Sequence, residues 1–304
     1  PAWFGAVASC FLGALTYECS GSANAGVLAT GVMSMIPAHI MRSVGGGYDN
    51  ESFAITAMLA TFYFWVRSLR KPDSWPVGAL AGVAYIYMVA TWGGYIFVLN
   101  MVAVHCGALI ALGRYTPGLH KAYSLFYVIG TIGAIQVPVV GWTPLKSLEQ
   151  LGACAVFLGL QVVEAVEARA RARKLGLRER VMLHAQALCA AGMVALVLVG
   201  AVAQTGYFGP LSSRVRGLFV KHTRTGNPLV DSVAEHQPAS ATAYYTYLHC
   251  MRYLAPLGFG LCLTERTDAK IFALLYGCIA YFFSAKMMRL LILLGPIASL
   301  LGGV

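Results

Sequence analysis

Charge is what this 304-residue sequence lacks most. Asp, Glu, Lys and Arg make up 11% of it, against roughly 25% in an ordinary soluble domain. A mean hydropathy of +0.68 agrees with that scarcity, and together they exclude an ordinary water-soluble globule. Also missing is any C-x-x-C pair. The eight cysteines, at 10, 19, 106, 154, 189, 250, 262 and 278, lie mainly inside apolar runs. There they read as small buried hydrophobes, which excludes a zinc site or a disulfide framework. No fixed-period repeat or low-complexity segment is present, so repeat arrays are excluded. The opening residues, PAWFGAVASCFLGALTY, have no Met and no basic flank, and do not read as a signal peptide. Both ends are apolar, and the expectation is a fragment of a longer chain.

What the sequence has in quantity is apolar runs of about 18–20 residues, each long enough to cross a bilayer as a helix. They fall near 1–18, 23–42, 52–69, 76–91, 94–112, 121–140, 149–168, 181–204, 246–264 and 271–288, with another from 290. The expected fold is all-α: a polytopic transmembrane helical bundle of ten to eleven spans in lipid. The hydrophilic interruptions are short except for 205–245. Alternate loops at 67–75, 113–122, 169–180 and 265–270 hold 13 Lys and Arg, and the opposite set at 43–51, 92–94, 141–148 and 205–245 holds 5. The first set is therefore expected in the cytosol. The net charge of +10 reads as these helix flanks, not as a nucleic-acid footprint. Loops 43–51 and 205–245 then share the non-cytosolic side.

On that side lies VGGGYDNES, residues 44–52, with Asp49 and Glu51 two apart on a glycine-rich turn. Two hard oxygen donors at this spacing can face one Mg²⁺ or Mn²⁺, with further ligands needed; a solvated acid pair is the plainer alternative. No Lys-Ser/Thr follows the glycines and no strand precedes them, so a phosphate loop is excluded. Arg42, seven residues before Asp49, suits a helix C-terminus or an interface, and His39 suits a packed interior. Glu235, in PLVDSVAEHQPAS, is a loop acid able to supply a third oxygen ligand. Arg289, in YFFSAKMMRLLILL, lies about 18 residues along its helix from the cytosolic TDAK, level with Asp49 at ~1.5 Å per residue. An anionic group such as a phosphate, or the interface itself, would explain it. Asn50-Glu51-Ser52 matches an N-glycosylation sequon formally, but abuts the next span.

Four stretches, MRSVGGGYDNES, YMVATWGGYIFVLN, SVAEHQP and SAKMMRLLILLGP, resemble in order the catalytic subunits of the eukaryotic oligosaccharyltransferase. The resemblance covers essentially the whole chain. It implies a GT-C-type membrane glycosyltransferase of the endoplasmic reticulum, with its active site facing the lumen. Such enzymes transfer a preassembled oligosaccharide, with inversion, from a dolichyl diphosphate carrier to Asn in Asn-X-Ser/Thr of unfolded or nascent polypeptides. The expected partners are those two substrates, the bilayer and other subunits of the enzyme. On this resemblance Asp49, Glu51 and Glu235 hold a Mn²⁺ or Mg²⁺ and act in catalysis with Arg42, and Arg289 binds the lipid diphosphate. Ala234 stands where the family usually has Ser, leaving the acid of that motif in place. The first acidic luminal loop and the C-terminal soluble domain of the family are not in residues 1–304, so the fragment alone is expected to be inactive. A monosaccharide-donor enzyme of the same class is one alternative. A cation transporter is another, although it would place its acids within spans.

Overall fold

The computed structural model describes residues 2–208 and 233–304. The middle of the expected long loop, 209–232, with its four cations, lies outside the described residues. Among the described residues the chain is helical and contains no strand. The helices are α1 (Ala2–Ser20), α2 (Ala23–Met35), α3 (Pro37–Ile40), α4 (Glu51–Ser68), α5 (Val77–Thr91), α6 (Tyr95–Ala111), α7 (Pro117–Gln136), α8 (Thr143–Lys146), α9 (Leu148–Arg173), α10 (Leu177–Gln204), α11 (Ala241–Leu248), α12 (Met251–Thr264), α13 (Asp268–Lys286) and α14 (Leu291–Gly303).

Five helical stretches are long and apolar enough to cross a membrane: Ala2–Ser20, Pro72–Thr91, Leu148–Arg173, Arg178–Gln204 and Asp268–Lys286. Ala23–Met35, Tyr95–Ala111 and Met288–Gly303 are shorter apolar helices. Length and composition therefore support several spans but not the expected ten to eleven. Backbone breaks are one reason. The run expected over 23–42 stops at Met35, because Ile36 precedes Pro37 and adopts an extended conformation (φ −67°, ψ 126°), as the proline ring demands of its neighbour. The run expected over 246–264 is divided at His249, whose φ is +46°.

Hydroxyl caps start several helices where the sequence changes from polar to apolar. The Oγ of Ser22 accepts from Ala25 N–H, Thr116 from Leu119 N–H, and Thr267 from Lys270 N–H, each satisfying a donor that the first helical turn leaves free. The basic run 169–180, expected as a loop, is mostly helical. Only the segment around Lys174 (φ +49°) turns, and Gly176 N–H donates to Glu179 to open α10. Ion pairs supply the reason, with Arg171 on Glu164 within α9 and Arg180 on Glu167 across the hairpin.

The helix α4 is the axis of the bundle and is buried along nearly its whole length. Phe62 packs edge-on against Phe272 and Tyr276 of α13, with centroids 5.0 and 5.1 Å away. Trp65 Nε1–H donates to His105 Nδ1 at 2.9 Å, and His105 Nε2–H donates to the Asp268 carbonyl at 2.9 Å. That chain ties α4, α6 and α13 together and leaves His105, which is fully buried, with both nitrogens satisfied. Between α1 and α2, a Cβ on Gly13 would lie 2.9 Å from Gly26 O and 2.0 Å from Thr30 Oγ1. Small residues there permit the close backbone approach by which helices pack in lipid. By contrast α10 exposes Met193, Leu196 and Val197 by 69–75%, an apolar surface suited to lipid and not to water.

The consequence for function is positional. Glu51 is the first residue of α4, so a helix buried along most of its length begins with a carboxylate.

Candidate active site

Four separate segments meet at the start of α4. The turn after α3 brings Arg42. Tight folding of residues 41–47 depends on glycine: Gly46 has φ +86°, and a Cβ on Gly47 would lie 2.6 Å from Met41 O. That conformation is open to glycine at little cost. The α4 N-terminus brings Asp49 and Glu51. A short 3₁₀ turn, Ala234–His236, brings Glu235, and a second, Met288–Leu290, brings Arg289. Backbone binds the two 3₁₀ turns together, Met288 N–H donating to Gln237 O at 2.8 Å.

Glu51 is 1% exposed, which for an unpaired carboxylate would be prohibitive. Two guanidiniums compensate it. Arg289 places both Nε and Nη2 on Oε1 at 2.7 Å, and Arg42 Nε stands 3.0 Å from Oε2. The positive end of the α4 dipole adds to this. Arg42 is the hub, for its Nη2 also donates to Glu235 Oε1 at 2.6 Å and its Nη1 lies 3.8 Å from Asp49 Oδ2. Its side chain is 20% exposed and that of Arg289 33%, while those of Asp49 and Glu235 are 41% and 42% exposed. The cluster thus has a buried floor at Glu51 and an open rim of two acids.

All five residues expected from the sequence, Arg42, Asp49, Glu51, Glu235 and Arg289, are therefore brought together. The role of Arg42 differs from an interface arginine, since it contacts every one of the three acids. His39 behaves as expected of a packed histidine: it is 3% exposed, with Nδ1 3.2 Å from Met33 O. Two supporting contacts were not anticipated. Asn50 Nδ2–H donates to Thr91 O at 2.9 Å, fastening the acidic turn to the TWGGY corner, and Ser43 Oγ lies 3.2 Å from Ser52 Oγ. Small polar residues within a membrane-edge turn carry no periodic signal, so only the fold shows them. Lys286 stands over the Phe282 ring.

As placed, these acids do not make a metal centre. Among the described residues no three or more His, Cys, Asp or Glu side chains are grouped to hold a metal ion. The oxygens expected to face a cation face guanidinium instead.

A bundle of apolar helices with three acids paired to two arginines at one end defines a helical membrane protein with a partly buried ion-pair cluster. Its fold is shared with the archaeal oligosaccharyltransferase AglB from Archaeoglobus fulgidus in complex with an inhibitory peptide and a dolichol-phosphate (TM-score 0.72, 14% identity, 98% of this chain and 37% of that one). The apo form of the Archaeoglobus fulgidus oligosaccharyltransferase superposes similarly (TM-score 0.71, 13% identity, 98% and 37%). Residues 1–301 match the family model described as oligosaccharyl transferase STT3, N-terminal, and the chain belongs to that family. Named relatives are the dolichyl-diphosphooligosaccharide–protein glycosyltransferase STT3 subunits of Dictyostelium discoideum (36% identical, 92% of this chain and 39% of that protein) and Saccharomyces cerevisiae (34%, 90% and 38%). The Caenorhabditis elegans subunit is 35% identical over 93% of this chain and 37% of its own length. The chain thus spans less than two fifths of the curated relatives it matches.

Proposed function

We propose that the protein to which this chain belongs transfers a preassembled oligosaccharide from a dolichyl diphosphate carrier to the amide nitrogen of Asn in Asn-X-Ser/Thr acceptors. The observation that carries this reading is the convergence of Arg42, Asp49, Glu51, Glu235 and Arg289 from four segments in a member of the STT3 family. Family names and the shared fold support it. The reaction is read as inverting, in the endoplasmic reticulum membrane with the site toward the lumen, and most helices of the bundle as spans.

The residues' own chemistry fits such a transfer. An amide nitrogen is a weak nucleophile because its lone pair is delocalised into the carbonyl. The exposed carboxylates of Asp49 and Glu235 are acceptors placed to hold an amide N–H and turn it from conjugation. Glu51 orients Arg289, and a guanidinium there can receive the charge that develops on a departing diphosphate. Arg42 holds Glu235 in register with Asp49. A divalent cation, Mn²⁺ or Mg²⁺, on Asp49, Glu51 and Glu235 belongs to the same reading and would act as a Lewis acid; the present donor arrangement does not itself form that site.

The test uses the full-length protein in lipid nanodiscs with lipid-linked oligosaccharide, a sequon peptide and Mn²⁺. Glycopeptide formation that is lost in Glu235→Gln supports the reading. Ion flux without glycopeptide would favour a transporter instead.

A further inference from the structure

We infer that a cavity between α11, α12, α13 and α14 binds one diacyl phospholipid, with an acyl chain in the cavity and the phosphate on Arg252. The inference concerns the membrane face of the scaffold and does not depend on the reaction proposed above.

The cavity measures about 550 Å³, and its walls are mostly apolar, Leu248, Phe259, Ile297 and Leu301 among them. On one side it is bounded where α12 meets α14, since a Cβ on Gly258 would lie 1.8 Å from Leu301 O. The surface of α12 beside it is apolar too, with Leu257 66% and Leu261 55% exposed. In a membrane bundle such a surface faces lipid. Water gains little in an apolar space of this kind, and an empty one forfeits dispersion contacts along its lining. An acyl chain from the bilayer supplies them.

Charge selects the kind of lipid. Among the described residues lining the cavity, Arg252 alone is charged. It is the second residue of α12, where the positive end of the helix dipole disfavours a cation that has no anion beside it. Its contacts are aromatic: Cζ stands 4.5 Å from the Tyr253 ring and 5.5 Å from that of Tyr245, and Nη2 donates to the Tyr253 hydroxyl. Those contacts leave it unpaired with any acid among the described residues. Tyr245 and Tyr253 are 55% and 60% exposed, as suits tyrosines at the level of lipid headgroups. On the cavity wall, Tyr244 bonds Ser284 Oγ at 3.0 Å in the last turn of α13, so this is the end of the bundle that carries Arg289. An apolar partner helix would fill the groove and leave the arginine unpaired, whereas a phosphodiester pairs with it.

The experiment places the full-length protein in phosphatidylcholine nanodiscs with a trace of phosphatidylcholine that carries a diazirine on one acyl chain. Photolabelled peptides are mapped by mass spectrometry. Labelling is expected to concentrate on 251–259 and 277–281, the stretches of α12 and α13 that line the cavity, above the level on the exposed surface of α10. A diacylglycerol with the same diazirine chain lacks the phosphate, and is expected to label those peptides about tenfold less, the loss of one charge-assisted contact. Arg252→Gln is expected to bring phospholipid labelling down to the diacylglycerol level, and Arg252→Lys to keep most of it. Equal labelling of the wild type by the two lipids overturns the site, and so does undiminished labelling of Arg252→Gln. Labelling no denser than on α10 is ordinary bilayer contact and overturns it as well. Displacement of the probe by lipid-linked oligosaccharide would give the cavity to that lipid, and no labelling at all would mean that protein covers it; either result overturns the phospholipid site.

Discussion

The two ends of the bundle solve the same electrostatic problem differently. At the basic end, Glu18 and Glu167, each 6% exposed, are held by pairs of basic side chains: Glu18 by Arg67 and Arg70 at 3.4 and 3.3 Å, Glu167 by Arg180 and by the His184 ring at 3.3 Å. No buried oxygen of either carboxylate lacks a hydrogen-bond partner. At the other end Glu51 is still more deeply buried, also between two cations, but one of its oxygens has no hydrogen bond. Its cations serve further acids that are open to solvent. At the basic end the carboxylates are satisfied and the unbonded buried atom is Arg67 Nη1, whereas at Glu51 a carboxylate oxygen is left unbonded beside exposed acids.

This contrast is most exposed to test at Glu51. The Glu51→Gln variant leaves Arg42 and Arg289 without their shared buried partner, and is expected to cost about 3–5 kcal/mol of stability. Glycopeptide formation is expected to fall at least ~100-fold, as when a charge-positioning group is lost from an active site. A stable, active Glu51→Gln protein would erase the distinction between the ends. At the basic end, Glu167→Gln is expected to lower stability by ~1–3 kcal/mol while transfer per folded molecule stays unchanged. Activity lost from a fully folded Glu167→Gln would show that both ends take part.

Smaller effects sharpen the scaffold side of the comparison. Trp65→Phe removes the donor to His105 Nδ1 and strands a buried acceptor, an expected loss of ~1–2 kcal/mol by chemical or thermal unfolding. The weakest effect belongs to the pair Lys270–Glu265, whose acid is 74% exposed. Lys270 holds the Glu265 carboxyl below its ordinary 4.5, so the contribution is complete above that pH and fades as the pH falls through the lowered folded value. Melting curves of wild type and Glu265→Gln should differ slightly at neutral pH and converge in acid. Separation confined to acid would mean the opposite sign.

Much of the site was legible before any fold was known. Asp49 and Glu51 stood out between two apolar runs, Arg289 within one and Glu235 in the long loop, because charges are rare in this chain, and the motif resemblance implied roles for them. The basic segment 169–180 misled, because charge density suggested a loop where i-to-i+7 and cross-hairpin ion pairs sustain helix. Arg42 was legible as a residue near the acids but not as their common partner. Nor was the Asn50 bond to the TWGGY corner legible.

Composition and local pattern were enough to establish a membrane-embedded helical protein, the asymmetry of its loops and its STT3 kinship, because hydrophobic runs and short motifs are written in consecutive residues. Which cation neutralises which acid was decided by tertiary structure alone. The pairs that build the site lie 193 residues apart for Arg42 and Glu235 and 238 apart for Arg289 and Glu51. No local period spans such distances; the packing of α4 against its neighbours brings those residues into contact and leaves one carboxylate oxygen of Glu51 without its bond.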